Sequence, residues 1–119
     1  MDYATARPQD GPNHLALITG EMPDGVILRI EARLTTRRDR PLVEILQTRH
    51  VPVPGNPGRY RQDGSSRMQY SGKRLRLVPE RLRQLQDELA EENAAIDIHG
   101  LDHERLTAHL REITAPPAP

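Results

Sequence analysis

Twelve Lys or Arg side chains against four acids fall between residues 26 and 76 of this 119-residue chain, whose seventeen basic and seventeen acidic groups sum to zero. From residue 77 onward the balance reverses to four Arg and nine acids. A field follows local charge, so the basic middle suits a polyanion even though the total is neutral. Arginine is suited to phosphate because its planar guanidinium offers a fork of N–H donors, and such binding weakens steeply as salt rises. The candidate phosphate contacts are Arg29, Arg33, Arg49, Arg61, Arg67, Lys73, Arg74 and Arg76, gathered on one sheet face and its loops. A solvated face whose arginines pair with the acidic segment is the competing reading.

Binders of single strands add aromatic platforms, each stacked base being worth about 1 to 3 kcal/mol. This chain has no Phe or Trp and three Tyr. Tyr60, in Arg59-Tyr60-Arg61, and Tyr70, after Arg67-Met68-Gln69, are interleaved with cations and are the candidate stacking groups. Tyr70 has a second use, filling a core that lacks other large rings. Guanidinium planes also stack on bases, so few aromatics do not exclude such a ligand.

Other chemistries find no support. The absence of cysteine excludes disulfides and thiol nucleophiles. His99, His103 and His109, with Asp97 and Asp102, lack the spacing of a four-ligand zinc site, so surface histidines are expected and neither metal nor cofactor is. No Gly-x-Ser-x-Gly elbow, no glycine-rich phosphate loop and no marked carboxylate pair occurs, so no enzyme is expected. No apolar run reaches the roughly 20 residues of a membrane span, and a cytoplasmic protein without membrane contact is expected.

The elements that must position these groups follow from periodicity. Residues 1–13 and 114–119 read as a disordered arm and tail around one domain, 14–113. After the apolar stretch His14 to Thr19, Pro23-Asp24-Gly25 is turn chemistry. Val26, Leu28, Ile30, Ala32 and Leu34 then alternate with Ile27, Arg29, Glu31 and Arg33, the period of a half-buried antiparallel strand. Thr36 to Arg40 is a polar connection, and Pro41 to His50 forms the hairpin's second strand. Prolines, glycines and serines from 51 to 66 predict a long loop. Arg67 to Tyr70 and the alternating Lys73 to Val78 predict further strand. Pro79 suits the start of a helix over 79–94, with Leu82, Leu85 and Leu89 as its stripe. Asp102 reads as the N-cap of a short second helix with Leu106, Leu110 and Ile113 inward. The expectation is α+β: a twisted four-stranded antiparallel sheet, an amphipathic helix and a short second helix.

Two local patterns, Val43-Glu44-Ile45-Leu46 and Lys73-Arg74-Leu75-Arg76-Leu77-Val78-Pro79-Glu80-Arg81-Leu82-Arg83-Gln84-Leu85, with this element order, resemble the positive-cofactor-four family of single-stranded-DNA-binding transcriptional coactivators. The likeness covers about Val26 to Leu89. It implies a sheet that binds single strands, and dimerisation through the helix that carries Leu82, Leu85 and Leu89. Leu82 stands where the family has Trp, Arg74 where it has Gly, and the family's sheet aromatics are mostly missing. The expected protein is thus a non-catalytic binder of single-stranded DNA or RNA, in transcription or DNA maintenance, acting as a homodimer. The alternative is an interaction module that docks an acidic partner protein through the Arg-rich hairpin.

Overall fold

The computed structural model describes residues 14–114, so the expected arm and nearly all of the expected tail lie outside the described residues. β1 (His14–Glu21), β2 (Ile27–Arg37), β3 (Arg40–Pro52) and β4 (Tyr60–Ser71) precede α1 (Val78–Glu91), β5 (Ala95–Gly100) and α2 (His103–Thr114). All strands join one antiparallel sheet in the order β4-β3-β2-β1-β5. The class is α+β, with five strands among the described residues rather than the expected four.

Local chemistry explains the turns. Gly25 adopts φ 89°, Asp24 Oδ1 accepts the Val26 N–H at 3.1 Å, and the Met22 N–H reaches the Val26 carbonyl at 2.8 Å. The next hairpin is closed by two residues alone: Arg37 faces Arg40 in the ladder, while Arg38 and Asp39 take φ 53° and 62°. Two left-handed residues match the twist of the flanking strands, although glycine or asparagine normally fills such sites.

One face of the sheet carries the core. Ala16, Ile18, Ile30, Ala32, Val43 and Ile45 pack against Leu82, Leu85 and Leu89 of α1 and Leu106 and Leu110 of α2. Each large aliphatic side chain so buried stabilises by about 1.5 to 3 kcal/mol relative to exposure. The stripe expected to mediate dimerisation is therefore consumed inside the subunit, since a single row of leucines can be buried only once. At α2, Asp102 Oδ1 accepts the Arg105 N–H at 2.8 Å and satisfies an N-terminal donor.

Three expectations are corrected. The loop foreseen over 51–66 shrinks to residues 53–59, because β3 runs to Pro52 and β4 starts at Tyr60. β4 is an edge strand with a register shift opposite Arg49 and His50, where an extra residue, Gly64 and the serines are tolerated. Residues Gly72–Leu77 form a 3-10 helix instead of a strand. Gly72, at φ 57°, turns the chain out of the sheet, and Leu75 of that helix and Val78, three residues on at the start of α1, are both fully buried. Finally, β5 was not foreseen. Its six residues alternate Ile96 and Ile98 with Asp97 and His99, but they are mostly exposed and pair only with distant β1.

Candidate nucleic-acid interface

The sheet face away from the helices is the natural place for charge. Register sets Arg29, Glu31, Arg33, Arg37 and Arg40, Glu44 and Arg67 on this far face of β2, β3 and β4. Its two halves differ. Toward the β3–β4 loop the face is closed: Leu17, Ile27 and His50 are each no more than 1% exposed. The His50 Nε2 lies 2.8 Å from Thr48 Oγ1. Burial pushes the His50 pKa below its ordinary 6.5, nearby Arg29 lowers it further, and Asp63 opposes the change.

In the middle of the face each guanidinium meets a carboxylate. Glu31 holds Arg29 at 2.9 Å and Arg33 at 3.6 Å, and Glu44 lies 3.5 Å from Arg67. Arg33 and Arg67 nonetheless remain more than half exposed. Exposed pairs of this kind are worth little, about 0 to 1 kcal/mol, and can be exchanged for a phosphate.

At the opposite end, the β2–β3 turn encloses a depression of about 700 Å³ lined by Arg37, Arg38, Arg40, Pro41, Leu42, Gln69 and Ser71. Among the described residues its lining holds three guanidinium groups, an amide and a hydroxyl, but no carboxylate. None of those arginines has an ion-pair partner among the described residues. Lys73, Arg74 and Arg76 follow directly from Ser71 on the 3-10 helix and are exposed.

The expected contacts are thus divided. Arg29, Arg33 and Arg67 share the far face, and Lys73, Arg74 and Arg76 follow its end. Arg49 is excluded from that surface: it sits on the helix side, ion-paired with Asp63, in a hollow of about 400 Å³ to which Glu88 and Glu92 of α1 contribute. Ladder alternation places it there, since Arg49 lies opposite Leu28, a residue of the core face. Arg61 is exposed beside the β3–β4 loop, and Tyr60 is half-buried at the start of β4. Both stand at the far end of that strand from Ser71, about 35 Å away at strand spacing.

Tyr70 is a core residue, 4% exposed, with its hydroxyl 3.7 Å from the Met68 sulfur and Arg74 stacked 5.5 Å from its ring centroid. Stacking on a base is closed to it, because a lone large ring contributes more by filling the aliphatic core. Arg37, Arg38 and Arg40 were not singled out from the sequence. Three arginines within four residues of a polar connection were the signal that could have marked them.

Among the described residues, no group of three or more His, Asp or Glu gathers as a metal site, and no helix is long and apolar enough to cross a membrane. His99 instead pairs with Asp97 at 2.9 Å. No protein-family model, curated protein or solved structure matches the chain.

Proposed function

We propose that the protein is a non-catalytic binder of single-stranded nucleic acid, whose phosphates enter the arginine-lined depression at the β2–β3 turn. The strand then runs along the far face past Arg67 and Arg33. The observation that carries this reading is a depression whose wall, among the described residues, has three guanidinium groups and no carboxylate. A cation set without an ion-pair partner among the described residues can exchange water and counterions for phosphate, and release of those counterions drives association. The resemblance of residues 26–89 to single-strand-binding coactivators supports the same ligand class. With Tyr70 buried, the contacts are mainly to phosphate, so little sequence preference is expected.

Fluorescence anisotropy with labelled single-stranded DNA and RNA, at several salt concentrations, tests the proposal. Replacing Arg37, Arg38 and Arg40 together by Gln is expected to lower affinity more than tenfold at low salt and to reduce the log–log salt slope by about 2. Arg49→Gln, on the helix side, is expected to leave both unchanged. Equal effects of the two variants, or no binding by the native chain, refute the nucleic-acid reading. If polyglutamate occupies the depression more tightly than an oligonucleotide does, an acidic protein partner replaces it.

A further inference from the structure

The second edge of the sheet has a different character. Among the described residues β5 has a single neighbour, β1, and every β5 residue except Ile96 is exposed. Sheet edges are commonly protected by lysine, proline, a bulge or a covering element. β5 contains neither Lys nor Pro, and its register with β1 runs from Ala16 opposite Gly100 to Glu21 opposite Ala95 without a shift.

The direction of its peptide groups follows from one hydrogen bond. The Leu101 N–H donates to the Leu15 carbonyl at 2.8 Å, in line with that register. Alternation in an antiparallel ladder then directs the peptide groups of His99, Asp97 and Ala95 toward β1. Those of Ile96, Ile98 and Gly100 point outward. They form a short row of donors and acceptors that ends at Gly100, where φ is 93°.

We propose that β5 pairs antiparallel with β5 of a second copy, about a twofold axis at Ile98. In this register Ile98 exchanges both backbone hydrogen bonds with Ile98 of the partner subunit, and Ile96 does so with the partner's Gly100. The side chains select the register. Asp97 stands opposite the partner's His99, and His99 opposite the partner's Asp97, so a carboxylate meets an imidazole at both positions of the seam. Centring the axis on Asp97 sets two carboxylates face to face, which is unfavourable. Ile98 is 45% exposed and lines an apolar hollow of about 170 Å³ between the helices, so Ile98 against its copy also removes apolar surface from water. The occupant is a second copy because the segment is complementary to itself in backbone hydrogen bonding, in its carboxylate–imidazole pairs and in apolar contact. The joined sheet has ten strands, with each arginine depression at an outer end, remote from the seam.

Sedimentation velocity of the full chain over a micromolar-to-millimolar dilution series tests this pairing. A reversible dimer is expected for the native protein. Ile98→Pro removes an outward N–H without touching the β1 ladder, and is expected to give a monomer with unchanged circular dichroism. His99→Asp, which places carboxylates opposite each other at both pairs, is expected to weaken the dimer about tenfold. The double exchange Asp97→His with His99→Asp re-forms both pairs and is expected to restore it. A native chain that stays monomeric throughout the series overturns the proposal. So does a dimer indifferent to His99→Asp, whether or not the proline variant folds.

Discussion

On the half of the far face toward the β3–β4 loop, where His50, Ile27 and Leu17 are buried, Arg29 shares Glu31 with Arg33, whereas at the other end Arg37, Arg38 and Arg40 line a depression with no acid in its wall among the described residues. Both ends belong to the same hairpin and the same side of the same sheet. The closed end has buried aliphatic side chains beneath its charges, so those charges must be matched or held neutral. The turn end has water around it and tolerates unmatched cations. Similar arginines are therefore held by carboxylates at one end and stand without an ion-pair partner among the described residues at the other.

The sharpest way to separate the ends is to damage the closed one. Ile27→Ala is expected to cost about 2 to 5 kcal/mol in urea unfolding, as for other large buried aliphatics, while oligonucleotide affinity of the folded fraction is unchanged. A loss of affinity in step with stability would erase the distinction. At the open end, Arg38→Gly relieves a left-handed backbone site held by a long side chain and removes one cation. Stability is expected to rise by about 1 kcal/mol while affinity falls, a trade that only a binding role for that turn predicts.

The smallest effect concerns pH. The folded pKa of His50 lies below the ordinary 6.5 because burial and Arg29 disfavour its cation, against the pull of Asp63. As pH drops below 6.5 the unfolded chain takes up a proton that the folded chain resists. The contribution of His50 is thus whole above the unfolded pKa and is lost as pH falls through the folded one. His50→Gln is expected to flatten this acid limb in melts recorded between neutral and mildly acidic pH. An unchanged limb would assign it to other groups.

Much of the fold was legible locally. The alternation from Val26 to Leu34 marked β2 and both of its faces, Pro-Asp-Gly marked the first turn, and Asp102 marked the start of α2. Lys73 to Val78 misled because Leu-x-Leu fits a strand as well as a 3-10 segment in which Leu75 is buried and Leu77 exposed. The site was legible only in part. Charge counting found the basic segment, and alternation gave Arg29 and Arg33 a common face, but Arg49 and Tyr70 were placed by their ladder partners, Leu28 and Val43, on the core side.

The sequence by itself determined an aliphatic α+β domain with cations concentrated before its helices, because periodicity and composition are properties of neighbouring residues. Tertiary structure alone decided which arginines meet a carboxylate, that the leucine stripe closes on its own sheet, and that β5 completes one edge. Those outcomes depend on the register between segments far apart in the chain. A shift of one residue in that register would move every side chain of a strand to the opposite face.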